Sequence, residues 1–328
     1  MGERGDVESL FFFLCSMAHR VSLLVLSVVV SLLLIGCQRA SDPATSSPSP
    51  ADTASALPDS VLSPPDSTAR RFRAAMQHAL AHTSDTTAIG PLMQAIGRHF
   101  RGRPYLGGTL DEPATETLVV RLDGFDCVTF IETVLAMARS VQTGDTTYAG
   151  FARRLAEQRY RNGTLQGYCS RLHYFTEWLA DNENKGIVER LDDELGGRRM
   201  TDTLNFMSTH RSAYDRFATN DSLYACVQAM EDGLQAQQQT RPVRYVPQDS
   251  IRAVYNQLRA GDIVAMATSI DGLDVSHSGL VYAHDDGRKG LLHASLSDGI
   301  VVSPDLQRYV QTIDNQIGIV VARPQPVR

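Results

Sequence analysis

The chain has 328 residues, with 31 Lys and Arg against 37 Asp and Glu, and a formal net charge of −6 at pH 7. Binding to nucleic acid needs a concentrated basic surface, so this balance and the lack of a Lys/Arg-rich run argue against nucleic acid as a partner. The length allows one large domain or two modest ones, each with a sizeable core.

The N-terminal residues have the pattern of a secretory leader. A short basic lead from Met17 to Arg20 precedes an almost unbroken apolar run at 21–35, which closes on Gly36 and Cys37. This order of basic, apolar and small residues is typical of a cleaved leader, and the run is shorter than the roughly 20 residues of a membrane-spanning helix. The residues before Met17 fit a leader poorly, which makes Met17 a candidate true start.

The end of the leader, Leu34-Ile35-Gly36-Cys37, resembles the lipobox of bacterial lipoproteins. The resemblance implies that Cys37 is lipidated and becomes the first residue of the mature chain. Gln38 follows the cysteine, and in that family a residue other than Asp favours the outer membrane. The expected product is a lipoprotein of the bacterial cell envelope, anchored in the membrane by lipid and facing the periplasm.

Residues 38–66 are rich in Ser, Thr, Pro, Ala and Asp and predict a disordered tether. Such a composition buries too little apolar surface to offset the entropy lost on folding. As a flexible coil this segment would span roughly 30 Å. No second linker interrupts the remaining residues, so we expect one domain over 67–328.

Helical patterns dominate the first two thirds of this domain. Apolar residues recur at helical spacing over 89–100 and 128–138, which predicts two amphipathic helices. Further helices are predicted near 148–158, 172–182, 222–235 and 250–258.

After residue 260 the pattern changes to short apolar and β-branched runs separated by Asp and Gly. Strands are predicted at 262–266, 275–282, 290–295, 300–302 and 317–321, and Ser303-Pro304-Asp305 are predicted to form the cap and first turn of a short helix. Helices followed by an antiparallel meander indicate an α+β fold and not a doubly wound sheet.

Cys127 lies where the second amphipathic helix is predicted to begin. Asp126 is a suitable N-cap, so Cys127 takes the first helical position, where the helix dipole favours a thiolate and lowers the thiol pKa. This is the environment of a nucleophile. The alternative is a small residue packed in the core.

Two histidines in the strand region supply partners for such a nucleophile. His277 and His293 are 16 residues apart, a spacing that places them side by side on a hairpin. A thiolate, a base and an orienting group make a nucleophilic site. The same three side chains could instead bind zinc, but neither H-E-x-x-H nor C-x-x-C occurs, and no metal or other cofactor is expected.

Cys169 and Cys226 are the other cysteines beyond the leader and Cys37. An oxidising periplasm would permit a disulfide between them. Since the sequence does not reveal their proximity, buried free thiols are the expected state.

Four short segments resemble a known family: Pro104-Tyr105-Leu106-Gly107-Gly108, Phe125-Asp126-Cys127, Ser276-His277-Ser278-Gly279 and His293-Ala294-Ser295. They resemble the signature of the NlpC-type cell-wall cysteine hydrolases, which have a papain-like fold. Segments 167–175, 206–210 and 272–277 are similar to the N-acetylmuramoyl-L-alanine amidase-like family within that superfamily. The resemblance runs from about residue 89 to the C-terminus.

The resemblance implies an amidase that cuts between N-acetylmuramic acid and L-alanine in peptidoglycan fragments. Cys127 would attack the carbonyl, His277 would act as the base, and His293 would hold the His277 tautomer. Tyr105 would donate to the oxyanion or fix the substrate, or else pack against the two glycines. The alternatives are a γ-D-glutamyl-diamino acid endopeptidase, an inactive muropeptide-binding lipoprotein, and acyl transfer to another amine.

The interval of 150 residues between Cys127 and His277 is much longer than in compact members of the superfamily. We expect this helical insertion to build the substrate cleft. Four of its residues are candidates for reading muropeptide carboxylates or sugar: Tyr168, Arg171, His173 and Tyr174. The alternative for Arg171 is an ion pair with Glu177.

Overall fold

The computed structural model describes residues 57–83, 88–200 and 203–327. The predicted leader, the predicted lipid anchor at Cys37 and most of the predicted tether lie outside these residues. Within the described ranges, the helices are too short or too polar to cross a bilayer.

The N-terminal part of the described chain is helical. Its helices are α1 (Asp59–Leu62), α2 (Asp66–Ala81), α3 (Ile89–His99), α4 (Cys127–Gln142) and α5 (Tyr148–Arg159). Helix α1 corrects the predicted tether boundary, because Leu57, Val61 and Leu62 pack against the main hydrophobic core. These apolar side chains order the last ten residues of the segment that was expected to be disordered.

Helix α4 is the central helix, and its start is fixed by a reciprocal cap. The Asp126 carboxylate accepts from the Thr129 backbone N–H at 2.7 Å, and the Thr129 hydroxyl accepts from the Asp126 N–H at 3.0 Å. This capping box satisfies two backbone donors that the helix itself leaves unpaired. The predicted helix is confirmed, with Cys127 as its first residue.

The insertion between α5 and the main strands has its own small core. It contains α6 (Phe175–Asn184), α7 (Phe206–Thr209) and α8 (Asp221–Thr240), with single 3₁₀ turns such as Tyr168–Ser170. Cys169 in that turn forms a disulfide with Cys226 in α8, so the expectation of free thiols is wrong. The helix predicted at 250–258 is a 3₁₀ segment, Gln248–Val254.

The sheet formed by the described residues has eight strands, and the C-terminal five match the predicted meander. The strands are β1 (Val188–Arg190), β2 (Arg198–Arg199), β3 (Arg244–Pro247), β4 (Ile263–Thr268), β5 (Val275–Ala283), β6 (Lys289–Ser295), β7 (Gly299–Ser303) and β8 (Gln316–Pro324). Their order is β2-β3-β8-β4-β5-β6-β7, with β1 also paired to β8, and these named strands pair antiparallel. The sequence did not predict β1, β2 or β3, which are short and rich in arginine.

Helices cover both faces of this sheet. Leu280, Leu292 and Ala294 belong to the core that includes α4. On the other face, Val281 and Leu291 pack with helix α9 (Leu306–Gln311). This is the predicted short helix, but its N-cap is Asp305, because Ser303 still belongs to β7. The predicted α+β class with a helix on an antiparallel sheet is therefore confirmed.

Candidate active site

A cavity of about 320 Å³ lies at the end of the sheet where β5 begins and β6 ends. Its lining includes Cys127 at the start of α4, His277 on β5, and residues 172–175 from the insertion. The structure thus brings the predicted nucleophile and the predicted base to one cavity. Apolar side chains make up most of the rest of the lining: Val128, Ile131, Leu172, Phe175, Trp178, Ile270, Leu273, Val275, Leu296 and Ile313.

Cys127 is the one free cysteine in the described residues, and its side chain is almost fully buried. Burial, and then the Asp126 carboxylate, raise the pKa of the thiol to about 12. The hydroxyl and the backbone N–H of Ser278 partly oppose this rise. The predicted lowering of the pKa by the helix start is therefore wrong for this structure, because desolvation of the thiolate outweighs the helix dipole.

His277 and His293 form a hydrogen-bonded pair of imidazoles. The distance between His277 Nε2 and His293 Nδ1 is 2.8 Å. The pairing of Gly279 with His293 puts both rings on one face of the hairpin, as the spacing predicted. His293 Nε2 lies 3.0 Å from the Ser303 hydroxyl oxygen, and the Tyr309 ring stands 4.6 Å from the His293 ring.

Both imidazoles are neutral near pH 7. Burial and then the neighbouring His293 hold the pKa of His277 well below 6.5, and burial lowers the pKa of His293 to about 4. Together with the raised pKa of Cys127, these shifts favour a neutral thiol beside a neutral base. The thiol therefore has to transfer its proton to the base when the sulfur attacks, because the thiol is not ionised beforehand.

Tyr105 lies next to the helix start but outside the residues that line the cavity. An isolated parallel bridge joins Tyr105 to Phe125, two residues before Cys127. A Cβ atom on Gly107 would lie 3.1 Å from Tyr105 Cε1, so the ring packs closely over this glycine. This contact favours the packing alternative for Tyr105.

Arg171 and Tyr168 interact with other residues of the protein and not with the cavity. Arg171 is 4% exposed, bonds Asp111, and lies 3.6 Å from the Glu116 carboxylate. Its guanidinium stands 4.9 Å from the centre of the Tyr168 ring, and neither residue lines the cavity. Their predicted contact with substrate is not supported. The pair proposed between Arg171 and Glu177 is also wrong, because Glu177 bonds Arg161.

His173 and Tyr174 do line the cavity, but His173 Nε2 and the Tyr174 hydroxyl bond other parts of the insertion. His173 Nε2 lies 2.9 Å from the Tyr168 carbonyl oxygen. The Tyr174 hydroxyl donates to Glu231 at 2.7 Å and accepts from the Met207 N–H at 3.1 Å. These two residues therefore offer ring surface to the cavity, and their predicted hydrogen bonds to substrate are not supported.

Asp274 was missed by the sequence reasoning, although it lies in the segment 272–277 that was noted. Its carboxylate accepts from the Thr176 N–H at the start of α6 and from the Val275 N–H, each at 2.7 Å. Asp274 thereby fastens the insertion to the first residue of β5, two positions before His277. Ser303 was predicted as part of a helix cap, but it ends β7 and its hydroxyl oxygen lies beside His293, a contact that the sequence does not indicate.

In residues 57–83, 88–200 and 203–327, no group of three or more His, Cys, Asp or Glu side chains is placed to hold a metal ion. The Cys127 thiol and the His277 imidazole are the reactive groups that line the described cavity, and His293, which is hydrogen-bonded to His277, does not line it.

The chain is similar to a known protein family. The family model described as AmiA-like, N-acetylmuramoyl-L-alanine amidase-like, matches residues 95–319. A search among curated proteins gives no significant match.

Solved structures match over most of the chain. An N-acetylmuramoyl-L-alanine amidase from Bacteroides uniformis is 28% identical with a TM-score of 0.65, and the match covers 77% of this chain and 99% of that one. A Bacteroides fragilis protein with the provisional name xylanase is 34% identical with a TM-score of 0.64, covering 69% and 98%. A Legionella pneumophila protein at 20% identity and a TM-score of 0.57, covering 79% and 97%, shares the fold.

A helix-borne thiol and paired imidazoles on an antiparallel sheet define a hydrolase-like α+β protein. With the family match over residues 95–319, the chain belongs to the N-acetylmuramoyl-L-alanine amidase-like family. This membership supports a peptidoglycan hydrolase-like function with peptidoglycan fragments as substrate.

Proposed function

We propose that the protein is a cysteine amidase that hydrolyses the bond between N-acetylmuramic acid and L-alanine in peptidoglycan fragments. The observation that carries the proposal is the cavity that Cys127 and His277 both line, with His277 hydrogen-bonded to His293. A nucleophile, a base and a third group that orients the base are the parts that covalent acyl transfer needs.

In this reaction the Cys127 sulfur bonds the lactyl carbonyl carbon while its proton passes to His277. His277 then protonates the nitrogen of L-alanine, the C–N bond breaks, and a thioester remains on Cys127. Water then attacks the thioester carbonyl carbon and transfers a proton to His277. The C–S bond breaks, the Cys127 sulfur takes this proton back from His277, and the muramic acid carboxyl group is released. The Cys127 backbone N–H, in the first turn of α4, is a suitable oxyanion donor because a helix leaves its first N–H groups without helical partners.

The cavity favours an uncharged acyl group. Its lining contains neither Arg nor Lys, and the candidate reader of carboxylates, Arg171, is paired with Asp111 outside it. The lactyl group of muramic acid carries no free carboxylate next to the bond that is cut. In a γ-D-glutamyl endopeptidase, by contrast, the acyl group carries the α-carboxylate of D-glutamate. Burying that charge without a cation is costly, which favours the amidase.

Glycoside hydrolysis, which the name of the Bacteroides fragilis relative suggests, fits the site less well. That reaction usually needs two carboxyl groups on opposite sides of the bond. Asp274 is the one acid in the cavity lining, and both its oxygens accept backbone hydrogen bonds.

The wider classification is part of the proposal. A helix with a cysteine at its start, packed on antiparallel strands that carry two histidines, supports placement among the NlpC-type papain-like hydrolases. We also propose that Cys37 carries the lipid and holds the domain at the periplasmic face of the outer membrane. The support for the anchor is the sequence motif at 34–37. Replacement of Cys37 by Ala should release the protein from the membrane fraction.

The test is product analysis by mass spectrometry with a defined disaccharide tetrapeptide. The proposal expects a free peptide that begins with L-alanine, and no product from the Cys127→Ala variant. A disaccharide dipeptide would identify the endopeptidase, and binding without cleavage would identify an inactive muropeptide-binding protein. A product joined to an added amine would indicate acyl transfer.

A further inference from the structure

We propose that Ser303 is a positioning residue that fixes the proton arrangement of the His277–His293 pair. The inference rests on the proposed function, since it assigns a role within that reaction. Ser303 touches neither the sulfur nor the carbonyl group of the substrate in the mechanism above, and it acts through His293.

The geometry is a continuous line of hydrogen bonds across three strands. His277 Nε2 and His293 Nδ1 are 2.8 Å apart, and His293 Nε2 and Ser303 Oγ are 3.0 Å apart. His293 pairs with Val301, so Ser303, two residues further on, lies diagonally across from His293 on the same face. The side chains of His277, His293 and Ser303 therefore lie on the same face of the sheet, on the adjacent strands β5, β6 and β7.

The β6 and β7 backbones approach each other closely, which fixes the register between His293 and Ser303. A Cβ atom on Gly290 would lie 2.5 Å from the Ser303 carbonyl oxygen, closer than a side chain can be accommodated without movement of the backbone. Glycine at this position lets β6 and β7 come together where Ser303 reaches the imidazole.

The proton arrangement follows from the task of His277. To accept the thiol proton at Nδ1, neutral His277 must carry its own proton on Nε2 and donate it to His293 Nδ1. His293 then has its proton on Nε2 and donates to the Ser303 hydroxyl oxygen. The reverse order, with Ser303 donating to His293, would put a proton on His277 Nδ1 and prevent it from acting as a base. Ser303 as acceptor therefore selects the productive tautomers of both rings.

The same line also stabilises the imidazolium that forms during attack. Protonated His277 keeps its Nε2–H donation to His293, and polarisation through Ser303 makes His293 a better acceptor. The titratable groups around the pair are Cys127 at the start of α4, Tyr309 on α9 and Asp298 in the turn before β7. Loss of the hydroxyl acceptor should lower the proton affinity of the pair.

The kinetic test compares Ser303→Ala with Ser303→Thr, which keeps a hydroxyl at the same place. For Ser303→Ala we expect kcat to fall about tenfold, the worth of one buried hydrogen bond, with KM unchanged. The acid limb of the kcat/KM profile should move to lower pH by about half a unit, because the base loses proton affinity. Ser303→Thr should restore both. A fall in kcat with no movement of the acid limb, or no rescue by Thr, would overturn the proposal.

A second measurement does not depend on turnover. Nitrogen-15 NMR of the imidazoles should report the Nε2–H tautomer for both His277 and His293 in the wild type, and a mixture for His293 in Ser303→Ala. An Nδ1–H tautomer of His293 in the wild type would refute the assignment of Ser303 as acceptor. If Cys127→Ala retained activity, the proposed reaction would fail, while this spectrum would still decide the proton arrangement.

Discussion

The helix and hairpin that carry Cys127 and His277 differ from the helical insertion in how they use polar side chains. In the first region, the thiol and an imidazole face a cavity. In the insertion, Arg171 binds Asp111, and the Tyr174 hydroxyl binds Glu231. Both regions contain residues that are chemically suited to bind a muropeptide. The difference teaches that a reactive or charged side chain is available to a substrate only where the fold places it at a cavity, and not where it is enclosed by its partners.

The insertion still contributes to the site through its shape. The segment 172–175 and Trp178 form one wall of the cavity, and they present rings and aliphatic surface. Asp274 ties this wall to β5, and the disulfide Cys169–Cys226 ties the turn before it to α8. One region thus supplies the chemistry, and the other supplies a supported wall.

The largest effect should come from the first region. His277→Gln removes the base and keeps a hydrogen-bonding group, so we expect roughly a thousandfold loss of kcat/KM with little change in thermal stability. Steady-state kinetics on the disaccharide tetrapeptide and a thermal melt measure the two quantities. Activity within tenfold of the wild type would contradict the role of His277.

A change of Arg171 should act on stability and not on substrate binding. Arg171→Met removes the nearer of the two guanidinium groups beside the buried Glu116 carboxylate and leaves Arg216 at 4.0 Å, so the free energy of unfolding should fall by about 3 kcal/mol. The double variant Arg171→Met with Glu116→Gln should regain part of this loss. If Arg171→Met instead raised KM while the urea unfolding midpoint stayed constant, Arg171 would bind the substrate and this prediction would be wrong.

The pH dependence of stability tests the buried imidazole pair. His293 has a pKa of about 4 in the folded protein and about 6.5 as an ordinary exposed imidazole, so between these values the unfolded chain binds more protons. Folding stability from this group is complete above pH 6.5 and decreases as the pH falls to 4, by about 3 kcal/mol. Urea unfolding of the wild type and of His293→Gln across this window should differ in slope. Parallel curves would contradict the burial of a neutral His293.

Loss of the disulfide should lower the stability of the protein and leave catalysis unchanged. The double variant Cys169→Ser and Cys226→Ser opens a covalent loop with a sequence separation of 57 residues, so the free energy of unfolding should fall by at least about 2 kcal/mol. Neither sulfur lines the cavity, so kcat at 25 °C should not change. Reduction of the wild type provides the matched control, and equal melting temperatures before and after reduction would contradict a structural role.

The sequence predicted the parts of the site that depend on local pattern. Asp126 with Cys127 was identified as a helix start, and the His277–His293 spacing as a hairpin, since caps and strand alternation are written in neighbouring residues. The five C-terminal strands followed from the same alternation. The sequence did not predict that Arg171 is paired with Asp111, because the two residues are 60 positions apart. It did not predict the disulfide either, because Cys169 and Cys226 are 57 positions apart.

The amino-acid sequence by itself determined which groups this protein brings to its chemistry, and on which helix and strands they lie. The tertiary structure decided the protonation and the hydrogen bonding of these groups. Packing around Cys127 raises the pKa that the helix start alone would lower, and three adjacent strands align His277, His293 and Ser303. The physical reason is that desolvation and hydrogen-bond partners are set by residues that are close in space and distant in the chain.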